Sequence, residues 1–302
     1  MRFSKSISIV TLALLPLTIV ATGFVWKSGH KFQRTMNHEN ASVSVEDLSE
    51  IGISIVGPAD PTFSSLLTSN FRGDIRNAAQ TLSEVSCFIK NDTEKSIIGY
   101  TVRWDMLAAD GKVHTRGRNY LAPDALLGQP LDDLRGVIPP HSVGFVSLAP
   151  VNEMSKSPEP PAAVQSHLKE AAERIREGIV PFTSVTIVLD NVLLNDGTFA
   201  GPDSGNLFAK IKARVEGRRD LLTEFENISR RSTDSAFERL RLIADGPTTK
   251  RQAVATATDA YNFQQQKSAT ELLRMREAVG DKETASRAIA LLHRQWINLK
   301  KR

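Results

Sequence analysis

Ile98, Tyr100, Val102, Trp104 and Met106 take every second position of one run, with Gly99, Thr101, Arg103 and Asp105 between them. A period of two sets the bulky residues on one face of a strand, so the chain has to build a sheet with a buried face. The neighbouring segments fit that sheet. Val85-Ser86-Cys87-Phe88-Ile89 is a short strand, followed by the turn Asn91-Asp92-Thr93. Asp110-Gly111 is a hairpin turn into Lys112-Val113-His114-Thr115. Pro139-Pro140, which cannot donate to a ladder, stand before a further run from Val143 to Val151. Between Thr183 and Leu194 the alternation places Val185, Ile187 and Leu189 on one face and Val188, Val192 and Leu194 on the other. Asn195-Asp196-Gly197-Thr198 then turns the chain into Phe199. Strands that follow one another with few crossover helices predict an antiparallel sandwich over 49–203. One insertion interrupts it: Ala162 to Gly178 carries Val164, Leu168, Ala171, Ala172 and Ile175 at helical spacing.

Past Gly201 the period becomes helical, and 204–302 reads as a basic α-helical region. Asp203 or Ser204 is placed to cap a helix in which Leu207, Ile211, Val215, Leu222 and Phe225 share a face. A second helix carries Phe237, Leu240 and Ile243, and a third runs from about Thr249 to Val279, with Gly280 as its stop. In the last, Ala285, Ile289, Leu292, Trp296 and Leu299 form one stripe, with Lys300-Lys301-Arg302 at the negative end of its dipole. Residues 201–302 hold 20 Lys and Arg against 13 Asp and Glu, so the helical part is the basic one.

The amino terminus carries an export signature. Arg2 and Lys5 precede an uncharged run from Ser6 to Trp26, closed by Lys27. Residues 1–26 therefore read as a signal peptide, with Ala21-Thr22-Gly23 offering small residues to a peptidase, or as an uncleaved anchor with Trp26 at the interface. Residues 27–48 read as a polar linker. The localisation expected is extracytoplasmic, in a periplasm or at a cell surface. A single cysteine, Cys87, excludes an intrachain disulfide and any multi-cysteine metal site, and suits a bacterial envelope better than a disulfide-rich secreted scaffold.

No residue pattern names a reaction. The chain has no HExxH, no Gly-x-Ser-x-Gly, no P-loop and no Gly-x-Gly-x-x-Gly. His114, with Asp105 and Asp110 near it on the strand, offers a general base or simply a surface histidine. Asp132-Asp133 are paired carboxylates or a solvated turn, and Arg72-Gly73-Asp74 spells an adhesion tripeptide or starts a helix. The densest set of oxygen ligands is Asp190, Asn191, Asn195, Asp196 and Asp203, a calcium candidate set beside the plainer reading of hairpin turn and helix cap. Arg218-Arg219, Arg230-Arg231, Lys250-Arg251 and the basic end would meet anionic lipid, or form solvated faces of packed helices. The sequence predicts no cofactor and no nucleic-acid partner, since aromatic residues are not interleaved with the basic ones.

The segment from Phe88 to Trp104, with its strand, Asn-led turn and aromatic second strand, resembles the first hairpin of immunoglobulin-like or fibronectin-like β-sandwich domains of bacterial exported proteins. Pro139-Pro140-His141-Ser142 is similar to the proline-led turn of such domains, and Asp196 to Asp203 to a closing segment of uncharacterised members. The resemblance spans residues 80–203. It implies an antiparallel Ig-like sandwich without the antibody-type cysteine pair, and brings no active site. The expectation is an α+β chain: a signal or anchor, a sandwich, and a C-terminal helical region. Its expected function is non-catalytic binding or scaffolding at the bacterial cell envelope, with another envelope protein as partner. The alternatives are a hydrolase acting on envelope polymer and a calcium-dependent adhesion module.

Overall fold

The two long strands at the centre of the fold are the ones with the strongest alternation. β5 (Ile97–Ala108) pairs with the hairpin strand β6 (Val113–Leu121) on one side and with β8 (Phe182–Leu194) on the other, both antiparallel. The computed structural model describes residues 36–37, 42–122, 126, 136–148, 162–247, 254–294 and 296–302. Beyond β8 the sheet continues through β2 (Ser42–Glu46), parallel to β8, to β1 (Met36–Asn37). β9 (Thr198–Ala200) adds to the far end of β8, and β10 (Lys300–Lys301) lies parallel to β9. A second sheet has the order β3 (Ile53–Val56), β4 (Ser86–Asn91), β7 (Ser142–Ser147), all antiparallel. The result is a mixed α+β fold with antiparallel-dominated sheets.

Both sheets feed one hydrophobic cluster. Val102, Trp104 and Ile187 of the large sheet meet Phe88, Ile89 and Phe145 of the small one, all buried. Phe88 makes edge-to-face contacts with Phe63 at 5.6 Å and with Phe145 at 5.2 Å, a geometry set by the ring quadrupole. On the opposite face of the large sheet a second cluster joins Ile98, Leu193 and Phe199 to Ile211 and Val215. Those last two belong to α4 (Leu207–Ser229), which packs with α5 (Thr233–Ala244), α6 (Ala257–Val279) and α7 (Asp281–Leu292) around Leu222, Phe225, Phe237 and Leu240. Here labels α1, α2 and α3 denote Phe63–Asn70, Gly73–Thr81 and Ala162–Glu177. Residues 31–302 form one compact unit, so no break separates sheets from helices at 203.

Two bulges decide which side chains face which core. On β5, Ile98 is the extra residue between the pairs Ile97–Leu194 and Gly99–Leu193; on β8, Asp190 is the extra residue between Leu189–Val102 and Asn191–Thr101. A bulge inverts the alternation beyond it. Ile98 consequently leaves the face of Tyr100 and Val102 for the helix-side cluster. Val192 and Leu194, expected opposite Val185, Ile187 and Leu189, join them in the same core.

Other expectations need correction. The linker reading of 27–48 fails over 42–46: Val43 and Val45 alternate with serine and build β2, with Val43 buried. Among the described residues, the stretch 49–203 holds two α-helices besides the expected one. In α1 and α2 the apolar residues Phe63, Leu66, Leu67 and Ile75, Ala78, Ala79 do sit at helical spacing, but each helix is about two turns long and neither has a capping side chain at its start. The third helix begins at Ala257, where Thr256 and Asp259 make a reciprocal capping box. The last helix stops at Leu292, so Trp296 and Leu299 lie beyond it. There the backbone finds better partners on β9: the Lys300 amide donates to the Gly197 carbonyl at 2.9 Å and that of Arg302 to Phe199 at 2.8 Å. Lys300 and Lys301 are strand residues, not a complement to the helix dipole. The leader, 1–26, lies outside the described residues; among those described, no helix is long and apolar enough to cross a membrane.

Gly201 lies directly under the Asp190 bulge with φ +113°. A Cβ there would run into the Asp190 carbonyl oxygen and the Asn191 Cα. Gly201→Ala is expected to destabilise the fold by about 1–3 kcal/mol through backbone strain, read as a lower midpoint in chemical denaturation. A midpoint equal to wild type would show that the bulge does not depend on this contact.

Candidate functional site

The chain from β9 into α4 is held by two buried carboxylates. Asp190 accepts from the Ser204 amide at 3.1 Å, from Asn191 Nδ2 at 3.0 Å and from Arg103 at 3.3 Å. Asp203, at φ +59°, caps α4 by accepting from the amides of Leu207 and Phe208, and its second oxygen accepts from Lys301 Nζ at 3.0 Å. These bonds satisfy amide groups that a helix start otherwise leaves unpaired. They also fix the rotation of α4 over the sheet.

That rotation turns Lys210, Arg214 and Arg218, four residues apart in steps, toward a cavity of about 490 Å³. Its floor is the outer face of the large sheet, at Thr101, Asn119 and Asn191, and its far wall is α6, at Phe263, Gln264 and Lys267. α4 and α6 approach closely where Gly217 meets the Tyr261 carbonyl. Among the described residues, four cations and one carboxylate, Asp190, line the space. Arg214 lies over the Phe263 ring at 5.5 Å, while Glu271 bridges Arg218 at 3.5 Å and Lys267 at 3.6 Å. Lys210 Nζ donates to the Gly205 carbonyl at 3.1 Å. On the floor, Asn191 Oδ1 and Thr101 Oγ1 are buried and find no hydrogen-bond partner among the described residues. On the opposite face of the sheet Tyr120 stacks on Tyr100 at 5.2 Å, and burial there pushes its phenol up to about 12.

No protein-family model matches the chain, and no curated protein or solved structure matches it either. What the cavity can do rests on its own chemistry.

The residues proposed from sequence are distributed rather than gathered. Asp190 and Asn191 reach the cavity floor; Asp203 caps α4; Asn195 and Asp196 lie in the turn before β9. Asp196 takes Lys95 Nζ at 2.6 Å and the Thr198 amide at 3.0 Å. Among the described residues no three His, Cys, Asp or Glu side chains group closely enough to hold a metal ion. His114 packs its ring on Phe182 at 5.4 Å, while Asp105 is held by Arg103 and Thr115, and Asp110 by Lys112. Asp132 and Asp133 lie outside the described residues. Arg72-Gly73-Asp74 opens α2. Cys87 is buried, which pushes its thiol up to about 12. The basic pairs divide: Arg218 faces the cavity, Arg219 stacks on Trp296 at 5.2 Å and Arg230 pairs with Glu226 at 2.9 Å. Reading the dibasic pairs obscured the spacing that matters, Lys210, Arg214, Arg218 on a single helix face.

Burial alone would raise the Asp196 carboxyl, but the bonds from Lys95 and Thr198 outweigh it and hold it at about 2. A carboxyl lowered by folding stabilises above its unfolded value of 3.8 and loses that contribution as pH falls toward 2. The stability gap between wild type and Asp196→Asn should therefore be present at pH 6 and close between about pH 4 and 2 in thermal melts. A gap independent of pH would contradict the pairing.

Proposed function

We propose that the chain is a non-catalytic binding protein of the bacterial cell envelope, and that the cavity under α4 holds a small ligand bearing a negative charge. The observation that carries this reading is the cationic wall. Like charges four residues apart on a helix disfavour each other by a few tenths of a kcal/mol per pair, roughly 0.2–0.5. Lys210, Arg214 and Arg218 make two such pairs, and an anion between them turns that repulsion into attraction. A volume of about 490 Å³ suits a molecule larger than a bare inorganic ion. The mixture of Phe263, Leu121 and Val215 with the cations suits an anionic group carried on a partly apolar body. The uncharged run flanked by Arg2, Lys5 and Lys27 supports export, with the run either kept as an anchor or removed. An immunoglobulin-like body is supported by the two sheets sharing one core. Another envelope protein remains the macromolecular partner this reading expects.

The test is thermal melting of the full chain against phosphorylated and carboxylated sugars, their neutral parents and cationic analogues. An anion at a hundredfold its Kd adds about 2.7 kcal/mol, a rise of roughly 5–10 °C for a domain of this size. Lys210→Gln combined with Lys267→Gln should weaken that ligand at least about tenfold. Stabilisation by neutral or cationic compounds alone, or by none, would overturn the reading.

A further inference from the structure

Leu107 and Val113 are exposed at 37% and 60%, and they face each other across the β5–β6 hairpin. The same rung runs through the whole sheet: Val113 pairs with Leu107, Leu107 with Ser184, Ser184 with Ser42, and Ser42 with Asn37. Val180, exposed at 61%, lies two residues before Phe182 at the start of β8, so it belongs to the same end. His114 and Phe182 stack beside it. Of the five large apolar side chains that the described residues expose, three are therefore at one end of one sheet. Isolated exposed apolar residues are ordinary; a cluster at a strand end calls for an occupant.

The course of the chain indicates which occupant. The chain enters the sheet one rung away, at Met36 on the rung of Val43, Val185 and Met106, and β1 runs from there to Asn37 on the rung of Leu107 and Val113. Only residues 27–35 separate β1 from the uncharged run that ends at Trp26, a span of roughly 30 Å at most. Lys112, with its side chain 76% exposed and paired to Asp110, sits in the adjoining turn, where a long amphipathic cation reaches headgroups. We infer that the Leu107–Val113–Val180 tip docks on the lipid surface, resting on the export reading above. Three partly exposed side chains bind a bilayer weakly alone, as a single short acyl chain does; a tether supplies the second signal and raises their effective concentration.

The experiment uses the full chain reconstituted in phosphatidylcholine–phosphatidylglycerol vesicles whose acyl chains are brominated, a contact quencher of tryptophan. Trp26 reports the leader as the difference between the parent and Trp26→Phe, and the signals at 113 and 242 are read likewise against Trp26→Phe, because Trp104 and Trp296 emit in every variant. Val113→Trp and Leu242→Trp are made in a Trp26→Phe background. Leu242, exposed at 62% on α5, is the control. The expected result is roughly twofold quenching of the Val113→Trp emission and none for Leu242→Trp. Quenching of Trp26 without quenching at 113 overturns the docking and leaves the anchor standing. If Trp26 is not quenched, the anchor reading fails, and vesicles added to the free chain decide the docking by the same signal at 113. A blue shift at 113 without quenching means burial against protein, a second copy or a partner, and also overturns it. Both substituted sites are exposed, and unchanged circular dichroism and melting verify that each variant is folded.

Discussion

Asp190 is a carboxylate with 1% exposure in the middle of the longest strand of the fold. A buried charge is tolerated only when hydrogen bonds replace its water, and here the Ser204 amide, Asn191 and Arg103 do so. Removing one partner of such a group typically costs about 3–5 kcal/mol, because the other is left buried and uncompensated. The bulge that seats Asp190 does two further things. It returns Val192 and Leu194 to the core of Val185, Ile187 and Leu189, and it brings β8 against Gly201, where the chain turns toward α4. One irregular residue thus sets the two-faced packing of the sheet and the placement of the helix that walls the cavity.

The parts of this fold that the sequence makes legible are those with an undisturbed period. The face of Tyr100, Val102, Trp104 and Met106 follows from counting by two, and the buried stripe Ile211, Val215, Leu222 and Phe225 from counting by three and four. Asp110-Gly111 marks its hairpin because Gly111 needs φ +80°. What escapes is structure decided at a distance. A bulge at Asp190 leaves no mark in the local pattern, because Asp190-Asn191 reads equally as a polar break in an apolar run, and the stripe through Trp296 and Leu299 continues past Leu292 although the chain has left the helix to pair with β9. No glycine or proline stands there to stop it, so long-range pairing decides.

The candidate site was half legible for a related reason. Asp190 and Asn191 stand out in the sequence as oxygen-bearing side chains, and they do reach the cavity, as part of its buried floor. The cationic wall is spread over α4 and α6, and only the packing of Gly217 on Tyr261 brings Lys267 opposite Lys210, Arg214 and Arg218. Composition showed that the helical region is basic; it took the helix pairing to show that part of this charge lines one cavity while Arg230 and Arg239 pair with Glu226 and Glu224 away from it.

The two proposed surfaces are linked through β5. Thr101 lies on the cavity floor and Leu107 at the apolar tip, six positions apart on one strand, or roughly 20 Å at the rise of an extended chain. A strand hydrogen-bonded on both sides cannot bend freely over that length, so a docked tip fixes the height of the cavity above the headgroups. Twenty ångströms is about two Debye lengths at physiological salt. At that height the negative potential of an anionic leaflet is largely screened, and the cations facing the cavity would meet a soluble anion rather than compete for lipid headgroups. Were the tip docked, distance along one rigid strand, rather than any barrier in the protein, would separate the cations facing the cavity from the headgroups.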